Sequence, residues 1–147
     1  MLRMRNKIIA DKKKISLSSL PTIMIVDDDK QLSKSFEAIL DIYGYPVLKV
    51  AHSVDEAIMF MEACKDKEAR PQIIMTDYHM GVKTGADLLR WIKKNYEMWK
   101  ETRTILISGG AKKEEILEAG AHISLEKPVR IEELIGSLFE LVPHKID

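Results

Sequence analysis

Cysteine is nearly absent from this 147-residue chain, in which Cys64 is the only one. A single cysteine excludes a disulfide framework and a metal site built from several thiolates. Long apolar runs are also missing, since no stretch approaches the roughly 20 residues that a transmembrane helix requires. Charged residues interrupt the start of the chain, which is unlike a secretory signal. These absences favour a reducing, cytoplasmic setting, and we expect no membrane span.

The net charge is zero at neutral pH, but the two signs are unevenly distributed. Of the 23 basic and 23 acidic residues, residues 1–20 hold six basic and one acidic, a net charge of +5, which leaves residues 21–147 at −5. We therefore divide the chain into a basic N-terminal arm, 1–20, and one domain, 21–147. The net charge of the arm predicts at most a weak, salt-sensitive attraction to nucleic acid or to an acidic partner. A solvated terminus is the simpler interpretation.

Five short apolar runs alternate with five segments of helical spacing. The runs predicted as strands are 22–26, 47–51, 73–76, 104–107 and 123–125. The first and third are apolar on consecutive positions, as parallel strands buried on both faces are. A capping box from Ser53 to Glu56 opens the second helix, and Gly120 ends the fourth. The alternation predicts an α/β fold, namely a doubly wound parallel sheet of five strands with five helices.

Polar residues stand where four of the five predicted strands end. The first strand ends on the run 27–29, Asp-Asp-Asp, and the third ends on Asp77. Ser108 follows the fourth strand, and Lys127 comes shortly after the fifth. In open parallel sheets, ligands bind outside the carboxyl ends of the strands. We therefore expect these side chains to lie close together at one edge of the sheet.

Carboxylates gathered at one place raise one another's pKa unless a cation compensates them. Oxygen-only ligands favour Mg²⁺, or Mn²⁺, over zinc. Lys127 supplies a compact positive charge and Ser108 a hydroxyl donor, both suited to phosphoryl oxygens. Together these groups can orient a phosphoryl group that passes to an aspartate nucleophile. Taken singly, each residue also has a structural interpretation: Asp29, Asp77 and Ser108 as caps, and Lys127 as a solvated lysine.

The full pattern resembles the receiver domain of two-component response regulators, including stand-alone receivers of the chemotaxis-regulator type. It consists of Ile25-Val26-Asp27-Asp28-Asp29, Asp77 with Met80 and Gly85 at fixed spacing, Ile107-Ser108, and Ala119-Gly120-Ala121 leading to Lys127-Pro128. The resemblance covers about residues 22–141 and fills every chemical position of the family. It implies a flavodoxin-like receiver fold.

The resemblance also implies a role for each residue of the pattern. Asp77 would be the phosphoacceptor, contacted through its phosphoryl group by Ser108 and Lys127. Mg²⁺ would be held by Asp28, Asp77 and the backbone carbonyl of His79, with Asp27 as an outer-sphere partner. A histidine kinase or phosphotransfer protein would donate the phosphoryl group, and an unknown downstream protein would respond to it. The chain would then be a signalling domain that assists its own phosphorylation and dephosphorylation, and not an enzyme.

Three features depart from the family pattern. Gly81 stands where proline is usual, and Ser124 where tyrosine or phenylalanine is usual. The interval from Ser108 to Lys127 is shorter by roughly one helical turn. These departures leave the acceptor chemistry intact. They predict that phosphorylation orders the glycine loops and alters the fourth helix, with little side-chain switching at position 124.

Other hypotheses fit the sequence less well. A receiver-like interaction scaffold that is never phosphorylated is the main alternative, yet Asp28, Asp77 and Lys127 are all present. A phosphatase with an aspartate nucleophile needs a second acid just after it, which Asp77-Tyr78-His79 lacks. A flavin or nucleotide site lacks a glycine-rich loop after the first strand. The last predicted helix ends about six residues before the chain does, which fits a stand-alone receiver or one cut from a longer protein.

Overall fold

The computed structural model describes residues 20–142. The elements in order are β1 (Ile23–Val26), α1 (Lys30–Ile42), β2 (Val47–Ala51), α2 (Val54–Ala63), a 3-10 turn (Lys67–Ala69), β3 (Ile73–Asp77), α3 (Gly85–Lys94), α4 (Tyr96–Trp99), β4 (Arg103–Ser108), α5 (Lys113–Ala119), β5 (Ile123–Glu126) and α6 (Ile131–Leu141). Residues 1–19 lie outside the described range, so the basic arm and the division at residue 20 stay predictions. No helix within the described range is long and apolar enough to cross a membrane.

The five strands of the described range form one parallel sheet in the order β2-β1-β3-β4-β5. This arrangement confirms the predicted fold class, and each strand boundary agrees with its prediction to within one residue. Val26 of β1 pairs with Thr76 of β3, and Asp77 of β3 pairs with Ile107 of β4. The three central strands therefore end at the same edge of the sheet.

Side chains of the central strands alternate between two apolar cores. Met24, Ile74 and Leu106 pack on one face beneath α2, α3, α4 and the end of α5. Ile25 and Met75, with their neighbours on that side, pack on the other face beneath α1 and α6. Helices on both faces explain why β1 and β3 are buried along their whole length. The polar end of β3 is thus held on a rigid, fully packed strand.

The outermost strand β5 is less well covered by helices than the central strands are. Ser124 pairs with Leu106 and therefore lies on the same face as the core beneath α2 to α5. Its side chain is nevertheless exposed, as is that of Glu126. Nearby α5 has seven residues, of which Ala119 alone is buried. The position where the family usually has an aromatic ring is thus a solvent-exposed serine.

The described range contains six helices, one more than the sequence predicts. Asn95 ends α3, because its side-chain amide donates to the Trp91 carbonyl at 2.9 Å and its backbone leaves helical geometry. The next turn forms α4, which carries Trp99 into the core with 2% of its surface exposed. A single buried aromatic on a four-residue helix has no periodic signal in the sequence.

The capping of α2 differs in part from the sequence prediction, and α3 has a capping box that was not predicted. At α2, the Glu56 N–H donates to Ser53 Oγ at 3.0 Å, as predicted. The Glu56 carboxylate instead accepts from the His52 N–H at 3.0 Å and pairs with Lys49 at 3.2 Å. The reciprocal capping box forms at α3, where Thr84 N–H donates to Asp87 at 2.7 Å. The Glu56 carboxylate therefore binds the N–H of the residue before the N-cap, together with a lysine on β2.

Candidate functional site

Three carboxylates meet where β1 and β3 end. Asp77 is the last residue of β3, while Asp27 and Asp28 follow β1 directly. One side-chain oxygen from each of the three lies within 4.8 Å of the others. Asp27 and Asp77 are 3% and 6% exposed, whereas Asp28 is open to solvent. The structure therefore brings together the acids that the sequence predicts to meet, in a cluster with one open side.

The first two acids of the Asp run face the cluster, and the third caps a helix. The side chain of Asp29 accepts from the N–H groups of Gln31 and Leu32, both at 3.0 Å, and so begins α1. Its own N–H donates to Asp27 Oδ1 at 2.9 Å. Burial raises the pKa of Asp27, and the nearby charge of Asp77 raises it further, against the opposing effect of the Asp29 hydrogen bond. Burial and a neighbouring acid thus disfavour the charged form of Asp27.

Replacing Asp27 by Asn is expected to stabilise the metal-free protein at neutral pH. The change removes a buried negative charge but keeps an oxygen that can accept from the Asp29 N–H. Because the folded-state pKa is raised, wild type loses stability as the pH rises through that pKa. In denaturant titrations with chelator at pH 7, Asp27→Asn should gain on the order of 1 kcal/mol. The gap should close below about pH 4, where the acid is protonated in both states. A variant no more stable than wild type at pH 7 would contradict this electrostatic description.

Lys127 is the cation that faces the cluster from the β5 side. Its Nζ lies 3.0 Å from Asp77 Oδ1, and its side chain is 31% exposed. Its backbone N–H donates to the Ser108 carbonyl at 2.8 Å, which fixes Lys127 against the end of β4. Ser108 is buried and stands one residue beyond Ile107, the register partner of Asp77. Both residues therefore reach the predicted edge, and neither caps a helix.

The backbone around Asp77 is tightly enclosed. The Tyr78 N–H donates both to Asp77 Oδ1 at 3.0 Å and to the Ile107 carbonyl at 2.8 Å. The Gly85 N–H donates to the Tyr78 carbonyl at 2.8 Å, which closes the loop after β3. A β-carbon at Gly85 would overlap the Asp77 carbonyl oxygen and lie 2.9 Å from Leu106 Cδ1. In the sequence Gly85 is part of the family pattern, and the structure supplies the physical reason, because only glycine permits this close approach.

Two side-chain contacts near the cluster were not found by sequence reasoning. The Tyr78 hydroxyl donates to Glu115 Oε2 on α5 at 2.8 Å. His52, which directly follows β2, places its Nδ1 at 2.9 Å from the Asp27 carbonyl oxygen. Each pair joins residues at least 25 positions apart, so no local pattern signals it. His79 follows in the exposed loop, with its ring edge-on to the Tyr78 ring at 4.9 Å.

This strand order, with an acid cluster at the carboxyl edge, is the architecture of a receiver domain. The response regulator receiver domain family matches residues 23–139, which is most of the chain. The chain belongs to the response regulator receiver domain family. The resemblance inferred from the sequence motifs is thereby confirmed.

Individual relatives agree with this assignment. The transcriptional regulatory protein CpxR of Klebsiella pneumoniae is 29% identical over 119 residues, covering 79% of this chain and 47% of that protein. The polar-differentiation response regulator DivK of Brucella anthropi is 22% identical over 120 residues, covering 80% and 92%. A receiver domain protein (CheY-like) of Methanospirillum hungatei JF-1 has a TM-score of 0.70 at 28% identity, covering 83% and 93%. The chain thus spans about half the length of CpxR and nearly all of DivK.

Proposed function

We propose that this chain is a phosphorylation-controlled switch in which Asp77 accepts a phosphoryl group from a histidine kinase or a phosphotransfer protein. The observation that carries the proposal is the buried Asp77 carboxylate, fixed at a strand end between Lys127 and two further acids. A carboxylate oxygen attacks phosphorus, so that an O–P bond forms while the bond from phosphorus to the donor histidine nitrogen breaks. The freed imidazole leaves with the electron pair, and the product is an acyl phosphate.

The surrounding side chains position the transferred group. Lys127 Nζ already lies beside Asp77 Oδ1, so it can pair with a phosphoryl oxygen once the carboxylate charge is lost. Ser108 supplies a hydroxyl donor from the end of β4. Attack of water on the same phosphorus breaks its bond to the Asp77 oxygen, releases inorganic phosphate and returns the free carboxylate. Because the same side chains orient the phosphoryl group in both steps, the domain assists its own phosphorylation and its dephosphorylation. An unidentified downstream protein, in a cytoplasmic setting, responds to the phosphorylated form.

Magnesium fits the donor set of this site. The three clustered carboxylates offer only oxygen, and two of them are buried with Lys127 as the cation beside them. Asp28, Asp77 and the His79 carbonyl would hold the ion, with Asp27 in its outer sphere, and Mn²⁺ would suit the same ligands. When bound, the ion supplies the positive charge that neutralises the phosphoryl oxygens.

Loss of Asp28 is expected to abolish measurable Mg²⁺ binding, because Asp28 would be one of only two carboxylates bound directly to the ion. Calorimetric titration should show weak binding to wild type, since a site with few protein ligands keeps several waters on Mg²⁺. Asp28→Ala should give no binding heat. Asp66→Ala, which removes an exposed acid in the loop before β3 at the opposite edge of the sheet, should bind like wild type. Equal affinity in wild type and Asp28→Ala would disprove the assignment.

The function itself is tested with a small phosphoryl donor. Wild type treated with acetyl phosphate and Mg²⁺ should gain one phosphoryl group by intact-mass measurement. The same mixture with chelator, or with Asp28→Ala, should gain far less. A chain that gains none under any of these conditions would favour the receiver-like scaffold instead.

A further inference from the structure

Tyr78 joins the candidate acceptor to a helix on the surface. It follows Asp77 directly, and its N–H donates to Asp77 Oδ1 at 3.0 Å. Its ring is buried, with 7% of the residue exposed, in the core beneath α2 to α5. At the far end of that ring, the hydroxyl donates to Glu115 Oε2 at 2.8 Å. One residue thus contacts both the Asp77 carboxylate and α5.

Glu115 also helps to begin the helix on which it lies. Its Oε1 accepts from the Lys112 N–H at 3.3 Å. Lys112 occupies the N-cap position, where a lysine side chain has no oxygen with which to accept from the first turn. The hydrogen bond from Tyr78 lowers the pKa of Glu115, and the Lys112 N–H lowers it further. The same bond raises the pKa of Tyr78. Both directions agree with a phenol that donates to an ionised carboxylate.

The rest of α5 is weakly anchored. It has seven residues, of which Ala119 alone is buried, and Leu117 is 71% exposed. A short helix with few buried contacts opens at low free-energy cost. Its first turn is held by the Ile116 N–H bond to the Lys112 carbonyl at 3.1 Å and by the two hydrogen bonds that Glu115 accepts.

Phosphorylation would act on the other end of this connection. Converting the Asp77 carboxylate to an acyl phosphate removes its negative charge, so Oδ1 becomes a poorer acceptor for the Tyr78 N–H. The Tyr78 N–H then keeps only the Ile107 carbonyl as a strong acceptor, so its peptide can tilt about that bond while the Gly85 N–H still holds the Tyr78 carbonyl. A ring shift that follows this tilt would strain the 2.8 Å bond to Glu115. Ser124, being small and exposed, offers no alternative ring for this purpose.

We propose that the Tyr78–Glu115 hydrogen bond transmits the phosphorylation state of Asp77 to α5. This inference rests on the proposed function, because it requires Asp77 to be the acceptor. In the unphosphorylated state the bond is formed and the first turn of α5 is helical. In the phosphorylated state the bond is broken and that turn unfolds locally. In the second state, the partner protein meets a changed surface around Leu117.

The test uses amide hydrogen exchange across α5 in the full chain, with phosphoryl content measured on the same samples by intact mass. Tyr78→Phe removes only the hydroxyl, and Glu115→Gln removes the charge of the acceptor. Glu114→Gln is the matched control, because it makes the same charge change at an exposed neighbouring position. Without phosphate, α5 amides in Tyr78→Phe should exchange about 3- to 10-fold faster than in wild type or Glu114→Gln, as expected for one lost hydrogen bond.

At equal phosphoryl occupancy, phosphorylation should speed α5 exchange in wild type and Glu114→Gln. It should change little in Tyr78→Phe, whose first turn of α5 has already lost the bond, and less than in wild type in Glu115→Gln, whose neutral amide oxygen accepts from the Tyr78 hydroxyl more weakly than the carboxylate does. The inference is overturned if both variants respond to phosphorylation as strongly as wild type does. Failure of the proposed function is a separate result, because wild type would then gain no phosphoryl mass, and the coupling would fall with it.

Discussion

Acetyl phosphate and Mg²⁺ should leave Asp77→Asn without a phosphoryl group under conditions that modify wild type fully. The amide of asparagine is uncharged and a poor nucleophile, so the O–P bond cannot form at useful rates. Its oxygen can still accept from the Tyr78 N–H, so the fold should be kept. Intact-mass measurement over time gives both the extent and the rate of modification.

Asp29→Asn is the matched control for this experiment. It makes the same change from aspartate to asparagine near the acid cluster, at the residue that caps α1. Asparagine is as good an N-cap as aspartate, so the helix should be unaffected and the protein should gain phosphate like wild type. Modification of Asp77→Asn at the wild-type level would place the acceptor elsewhere.

Gly85→Ala should produce the largest loss of stability among single-methyl changes near the site. The added β-carbon would overlap the Asp77 carbonyl oxygen and press on Leu106, and both are in the packed interior. The loop is also held by the Gly85 N–H bond to Tyr78, so neither side can move freely. We expect a loss of about 3 kcal/mol or more in the free energy of unfolding by denaturant titration. Phosphoryl uptake should fall with it, because the strain is placed on Asp77.

Gly136→Ala provides the control with the same added atom. Gly136 lies inside α6, and nothing stands within 4 Å of the β-carbon it would gain. Alanine there should stabilise the protein by about 0.5–1 kcal/mol, because glycine is unfavourable in a helix interior. Equal effects of the two substitutions would show that the close approach at Gly85 does not govern stability.

The fold and the position of the acids are predictable because both follow from short-range patterns. Apolar runs such as 73–76 define buried strands, and the polar residue that ends each run must then lie at the carboxyl edge of the sheet. Asp77 and Lys127 meet at 3.0 Å although they are 50 residues apart. Parallel strand order alone is enough to bring them to one edge.

What the sequence does not predict depends on packing between distant elements. In the sequence, Tyr78 matters only for the phosphatase hypothesis, which needs an acid just after Asp77. Its bond to Glu115 depends on how α5 packs beside α3. The Glu56 carboxylate leaves its predicted capping role for the His52 N–H and the Lys49 ammonium group. The close approach at Gly85 likewise becomes visible only once Leu106 and β3 are in place. Each case involves a competing partner that periodicity cannot reveal.

Asp77 as the phosphoryl acceptor is tested most directly by chemical mapping of the modified residue. Borohydride reduces an acyl phosphate to an alcohol, which converts the modified aspartate to homoserine and marks its position for peptide mass spectrometry. Wild type treated first with acetyl phosphate and Mg²⁺ should carry homoserine at position 77 and at no other acid. Homoserine at position 27, 28 or 29 would contradict the assignment, and so would bound phosphate that yields no homoserine at all.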